Sequence, residues 1–475
     1  MGTGGDRTRG TAAGTAVLGI DLHLALTGPG GLRKGLVNAL REAVRTGRLA
    51  PGTRLPSSRG LAVDLGIARN TVAEAYADLV AEGWLTARQG SGTRVADRSV
   101  VPPGRSVPSP RTPGPPPFSL KPGTPDLSAF PRAEWLRAAR RALARAPHDA
   151  FDYGDPRGRP ELRYALAEYL ARARGVRTRP EHLFVTAGFA QALLVLGRLL
   201  ARRGVRAVAV EPYGLDVHRA LLTDRGLRTA VLPWGPGGPD ATALDRLAPG
   251  AVLLTPAHQF PRGLPLRPEG RAAAVTWARR TDGLILEDDY DGEFRYDRQQ
   301  VGALQDLDPD RVVYLGTASK SLAPGLRLGW MAVPGRLAPE VAREKGAGWA
   351  CGVLDQLTLA EFLTSGAYDR HVRAMRLRYR RRRDQLVAAV AERAPGVRVV
   401  GIAAGLHVVL ELPPGTEGSV LRAAARQGLA LSGLGPLRHP DAVLDDPPDG
   451  LVIGYGVPSD SAWPGTLEAL CRALP

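Results

Sequence analysis

Apolar residues at Leu32, Leu36, Val37, Leu40 and Val44 recur at the spacing of one helical face, which predicts an amphipathic helix ending near Gly47. A second helix begins at Pro56–Ser57, where the serine can cap, buries Leu61, Ala62 and Leu65, and stops at Gly66. A third runs from about Arg69 to Glu82 with Val72, Tyr76, Leu79 and Val80 inward. Only Gly66, Ile67 and Ala68 separate the last two, which is helix-turn-helix spacing. Trp84-Leu85-Thr86 and Thr93-Arg94-Val95, either side of Gly90-Ser91-Gly92, predict a small hairpin, the wing.

The pattern then breaks. Prolines at 102, 103, 108, 110, 113 and 115–117, with almost no large apolar residue before Phe118, predict an extended, semi-rigid linker. Beyond it, short apolar runs alternate with helical patterns: Leu183–Thr186, Ala207–Val210, Val252–Thr255, Leu284–Leu286, Val312–Leu315 and Leu328–Val333. That alternation predicts an α/β unit, a mainly parallel sheet with helices on both faces. The expected organisation is a mobile tail (1–25), a winged helix-turn-helix (26–97), a proline-rich linker (98–122) and a large effector domain (123–475).

Composition adds two constraints. No apolar run approaches the ~20 residues that span a bilayer, and two cysteines, Cys351 and Cys471, make neither a disulfide framework nor a zinc cluster. A cytoplasmic protein is expected. The 63 basic residues against 47 acidic give +16, yet 1–98 hold 13 basic and 8 acidic residues, so only +5 lies there. Charge alone therefore points weakly to a polyanion. Residue types point better: Arg69, Asn70 and Thr71 open the third helix, with Arg59 on the helix before it and Arg88 and Arg94 beside the wing. Arginine can read guanine and asparagine adenine in the major groove, while flanking cations hold phosphates.

Only four of the basic residues are lysines: Lys34, Lys121, Lys320 and Lys345. Lys34 reads as solvent-facing, Lys121 ends the linker, and Lys345 sits in a charged helical stretch. Lys320 follows a predicted strand in Gly316-Thr317-Ala318-Ser319-Lys320-Ser321, with Arg327 seven positions on. Small hydroxyl residues and a cation around a strand-end lysine suit a nucleophilic amine beside an anion site. Glu287-Asp288-Asp289-Tyr290-Asp291 ends another buried strand, where open α/β sheets bind ligands. A carboxylate there can keep a pyridinium nitrogen protonated, and such a cluster can equally bind magnesium. Gly188-Phe189-Ala190 is a strand-to-helix turn whose free amides can cup a phosphate.

Two resemblances extend this reading. The string Gly52–Arg59, Leu65–Val72, Glu82–Leu85 and Gly90–Thr93 resembles the winged helix-turn-helix of GntR-type regulators, departing at Ala68, where a capping serine is usual. Tyr153–Gly158, Pro256–Pro261, Glu287–Tyr296 and Gly316–Gly329 resemble the fold-type I aminotransferases, and the combination resembles the MocR/GabR-type regulators. The resemblance implies pyridoxal 5′-phosphate held as a Schiff base by Lys320, Asp288 on the ring nitrogen and Tyr290 on the ring hydroxyl. It places Arg327, Thr317, Ser319 and the Gly188, Phe189 and Ala190 amides on the phosphate, and His258 at the cofactor. It also implies double-stranded DNA as partner and a head-to-tail homodimer, with Tyr153 reaching into the neighbouring site. The expected function is a transcription regulator that senses pyridoxal phosphate or a small amine, controlling vitamin B6 or amine metabolism; the alternative is an active aminotransferase carrying an accessory DNA-binding domain.

Three departures bear on catalysis. Val452 stands where relatives place the arginine that clamps a substrate carboxylate, Leu215 where an aromatic stacks on the ring unless Tyr213 shifts in, and Phe260 where an asparagine bonds the ring hydroxyl. Losing the clamp removes roughly 1.5–3 kcal/mol of charge-assisted binding. The run Arg376–Arg383 reads as the solvated faces of a helix that buries Leu377, and His258 and His407, lacking partners at metal-ligand spacing, read as structural, with no metal expected.

Overall fold

The computed structural model describes residues 17–18, 22–23, 31–88, 92–97, 116–235, 237–296, 301–346 and 351–475. The chain divides into two compact units, Met1–Gly114 and Pro115–Pro475.

In the first unit, helices α1 (Gly31–Arg45), α2 (Ser58–Leu65) and α3 (Arg69–Ala81) enclose one core of Leu36, Leu40, Val44, Leu61, Leu65, Val72, Tyr76 and Leu79. Ser57 caps α2 by accepting the Gly60 amide at 3.1 Å, and Gly66 ends it at φ +65°, a conformation glycine adopts without penalty. The wing is antiparallel Leu85–Arg88 and Gly92–Val95, with Leu85 and Val95 closing the core. Val80, expected inward, is exposed: it lies one position beyond Leu79, off the buried stripe. Val17–Leu18 and Leu22–His23 pair as a short antiparallel ribbon inside the expected mobile tail; the rest of that tail, and the linker from 98 to 115, lie outside the described residues.

The large unit carries a seven-stranded sheet in the order Leu183–Thr186, Gly329–Ala332, Val312–Thr317, Leu284–Asp288, Ala251–Leu254, Ala207–Val210 and Arg228–Val231. Every neighbouring pair is parallel except those made by Gly329–Ala332, which runs antiparallel to both flanking strands. Alternate residues face opposite layers: Val208, Leu284, Leu286, Val313 and Leu315 pack on helix Phe189–Arg202, whereas Ala209, Val252, Ile285 and Val312 pack on helix Pro268–Thr281. Burial on both faces explains why these strands read as continuous apolar runs. Arg228–Val231 was not legible because an edge strand with one face half-exposed has no such run.

A second, antiparallel sheet joins Arg398–Val400, Val408–Glu411, Gly450–Ile453 and Ser432–Gly433, packed on helix Ala367–Arg393. That helix corrects one expectation. Leu377 is 69% exposed, while Val372, Met375, Tyr379, Arg382, Leu386 and Val390 form its buried stripe. Arg382 occupies an apolar register position because Asp126 (2.9 Å) and Asp460 (2.7 Å) meet its guanidinium there. Lys345 ends the charged helix Ala338–Lys345 and is buried. The large unit also takes up the chain earlier than expected: Phe118–Ser119, inside the predicted linker, pairs with Leu429–Ala430.

Candidate cofactor site

The carboxyl ends of Leu284–Asp288 and Val312–Thr317 lie side by side, with Asp288 in register with Leu315. Around them opens a cavity of about 470 Å³, a size typical of small-ligand sites. Its walls bring together Phe189, Ala190, Asp288, Tyr290, Thr317, Ser319, Lys320 and Arg327, residues the sequence drew from four separate segments.

At one end, Gly188 precedes helix Phe189–Arg202 at φ +84°, and a Cβ there would lie 3.2–3.4 Å from the Arg327 guanidinium. Arg327 itself takes a left-handed conformation and donates to the Ala187 carbonyl. Ser319 N–H donates to Thr317 Oγ1 at 3.1 Å, and the two hydroxyls are 2.8 Å apart. Helix amides, a guanidinium and paired hydroxyls make an anion cradle.

At the other end, burial pushes the Asp288 carboxyl well up, opposed by the Lys320 charge; conversely, burial lowers the Lys320 amine, opposed by Asp288 and Asp291. A buried carboxylate facing a cavity is satisfied by a cationic donor such as a pyridinium N–H, and a depressed amine is a better nucleophile. Cradle, amine and carboxylate together fit pyridoxal 5′-phosphate. The group would supply an aldehyde for Lys320 and an electron-withdrawing ring over Asp288.

His258 does not line the cavity. Its Nδ1 lies 2.9 Å from Asp291, with the proton assigned toward the carboxylate, and the Tyr290 hydroxyl donates to the His258 carbonyl at 2.9 Å. It therefore orients Tyr290 from behind. The fold also brings His407 close, so donor atoms of His258, Asp291 and His407 lie within 4.8 Å of one another, a grouping that spacing along the chain concealed. His407 donates Nε2–H to the Pro261 carbonyl at 3.1 Å; burial, reinforced by His258, lowers its pKa to about 3, so it stays neutral.

Among the groups on the cavity wall that sequence reasoning missed are Glu211, His218 and His407. Burial raises Glu211 to about 7 while Thr255 (2.5 Å) and Gln259 (3.3 Å) donate to it. His218 packs its ring 4.5 Å from Phe189 and is lowered to about 4 by burial, then by Lys320 and Arg219. Its position one turn beyond Leu215 was the available signal. Tyr213 stays edge-on to Trp234 at 5.7 Å, in an apolar cluster with Val409, Leu434 and the fully buried Val452, and Phe260 packs against that cluster. The clamp position therefore carries no charge.

Tyr153 is 97% exposed. In the N-terminal unit, Arg59, Arg69, Asn70, Arg88 and Arg94 are exposed and Thr71 half-buried. Arg94 donates to the Gly52 carbonyl at 2.9 Å. Ala68 stands before α3 with extended geometry and no side-chain cap. Among the described residues no helix is long and apolar enough to cross a membrane.

The model of the bacterial regulatory proteins of the gntR family matches residues 32–95, and that of the aminotransferases of class I and II matches residues 120–437. The probable rhizopine catabolism regulatory protein MocR of Rhizobium meliloti is 34% identical, over 89% of this chain and 90% of its own. The chain belongs to the MocR-type regulators of the GntR family. This MocR-type chain is equally similar, at 34% over 87% of its length and 91% of the relative's, to the pyridoxine biosynthesis transcriptional regulator PdxR of Corynebacterium glutamicum. Among solved structures, the α-aminoadipate aminotransferase LysN of Thermus thermophilus shares the fold of the large unit, with a TM-score of 0.66 and 24% identity over 75% of this chain and 92% of that one. The protein is thus a transcription regulator with a DNA-binding unit and an aminotransferase-like unit.

Proposed function

We propose that this regulator binds pyridoxal 5′-phosphate through Lys320 and that capture of the cofactor sets the affinity of the N-terminal unit for its operator. The carrying observation is the juxtaposition of a depressed Lys320 amine, a buried Asp288 and the Arg327 cradle around one cavity. Asp288 would meet the ring nitrogen and Tyr290 the ring hydroxyl, with His258 orienting Tyr290. Arg327, Thr317, Ser319 and the amides of Gly188, Phe189 and Ala190 would hold the phosphate. Val452, buried and uncharged at the position where relatives carry the clamp, disfavours an amino acid carboxylate as the signal and favours pyridoxal phosphate itself or a simple amine. The PdxR relative's name, a regulator of pyridoxine biosynthesis, agrees with control of vitamin B6 supply.

Arg69, Asn70 and Thr71 would read bases, and Arg59, Arg88 and Arg94 would hold phosphates. Leu136, Leu143, Phe151, Tyr153 and Tyr164 are each exposed, which suits a homodimer in which Tyr153 enters the partner's site. A ligand changes DNA affinity only by binding two arrangements unequally. The test is fluorescence anisotropy on the protein's own upstream DNA, with and without pyridoxal phosphate. The expected result is a shift of tenfold or more in Kd, about 1.4 kcal/mol of coupling, abolished in Lys320→Ala. An unchanged Kd at saturating cofactor absorbance would overturn the proposal, and multiple turnovers with an amino donor and keto acid would favour the enzyme instead.

A further inference from the structure

The chain that leaves the proline-rich stretch becomes part of the cavity wall. Leu120 is buried in the core of the second sheet; its N–H donates to the Ala430 carbonyl at 2.9 Å, and the Gly454 N–H donates to its carbonyl at 2.7 Å. Six residues on, Asp126 accepts from Arg382 at 2.9 Å and Arg378 at 3.3 Å, and its own N–H donates to the Tyr379 hydroxyl at 3.0 Å. Between these two anchors Lys121, Pro122 and Gly123 line the cavity. The Lys320 amine donates to the Gly123 carbonyl at 2.6 Å. Gly123 stands at φ +109°, and at Gly454 a Cβ would come within 2.8 Å of the Lys121 carbonyl and Pro122 Cα, so two glycines permit this path.

We propose that Lys121–Gly123 is a strap that reads the chemical state of Lys320. The free amine holds the Gly123 carbonyl, and capture of the amine by an aldehyde frees it, loosening the point at which the linker enters the large unit. In that capture Nζ attacks the aldehyde carbon, a C=N bond forms, and the aldehyde oxygen leaves as water with both hydrogens of the neutral amine. A nitrogen committed to the C=N bond has given up the hydrogen that the Gly123 carbonyl accepts, and the strap would lose its donor. The inference rests on the cofactor reading above and adds the route by which occupancy reaches the linker.

Hydrogen–deuterium exchange on the full-length protein tests it, following the peptide over residues 118–126 with pyridoxal phosphate or 4-deoxypyridoxine 5′-phosphate, which fills the same cavity without an aldehyde. Absorbance of the imine is recorded alongside. The aldehyde is expected to speed exchange across the strap several-fold and the deoxy analogue to leave it unchanged or slower. Lys320→Met without ligand should exchange as fast as the loaded wild type, with neither ligand adding to it. Gly123→Ala, forced from its left-handed conformation, should displace the strap in advance, shrink the cofactor-induced change and tighten capture several-fold. Imine absorbance without faster exchange, or equal effects of both ligands, would overturn the strap and leave the cofactor reading standing. No imine absorbance at all would sink both.

Discussion

Replacing Arg382 by methionine tests whether the strap's downstream anchor is an ion pair or merely packing. Both Arg382 and Asp126 have side chains 1% exposed, 2.9 Å apart. A buried pair broken from one side typically costs about 3–5 kcal/mol, because the abandoned charge remains desolvated. Here Asp126 keeps Arg378 at 3.3 Å and its Oδ1 keeps the Ser128 amide at 3.0 Å, so the lower end, about 3 kcal/mol, is expected. Methionine fills the stem's volume against Trp463, over whose ring the guanidinium lies at 5.7 Å, which limits any cavity contribution. Urea denaturation, followed separately for the two units because the chain divides into two compact bodies, measures the loss in the large unit. Adding Asp126→Asn should restore a substantial part, since an amide is far cheaper to bury than a carboxylate. A single substitution within about 1 kcal/mol of wild type, or no recovery in the double variant, would refute the electrostatic account.

Ala68→Ser should stabilise the N-terminal unit by about 1 kcal/mol, read as a higher melting midpoint of that unit, because the extended backbone before α3 already suits a capping hydroxyl. Val452→Arg is expected to melt the large unit several degrees earlier without conferring amino acid turnover, since the residue sits fully buried among Tyr213, Val409 and Leu434. Glu211, raised to about 7 from 4.5 in the fold, contributes stability that is complete below pH ~4.5 and lost as the pH rises through about 7, a change of roughly 3 kcal/mol; Glu211→Gln should flatten that part of the pH–stability profile.

The elements of the N-terminal unit were legible because each rests on local chemistry: Ser57 caps, Gly66 terminates, and the apolar stripe keeps a 3.6-residue period. The doubly buried strands were legible for the same reason. What escaped depended on partners distant in sequence. Arg382 resembles its arginine neighbours along the chain, and only Asp126 and Asp460, 256 and 78 positions away, turn it into a core residue. Leu377 lost its expected burial by the same rotation. His258, Asp291 and His407 showed no shared spacing because their grouping arises where a loop, a strand end and the second sheet converge.

Lysine scarcity shows how far a composition argument reaches. It singled out Lys320, which lines the cavity, yet it treated Lys121, which lines the same cavity, as the end of a linker and gave no sign that Lys345 is buried. Lys121 lies on the same wall as Lys320, carried there by the segment that the proline pattern assigned to the linker. Proline and glycine mark where a chain cannot form a helix; they do not mark where it stops making contacts. Gly123 and Gly454 are required by close backbone approach rather than by flexibility. The large unit begins before the predicted linker ends, its entering chain is held at Leu120 and Asp126, an apolar anchor and an ionic one, and the Lys320 amine meets that chain between them.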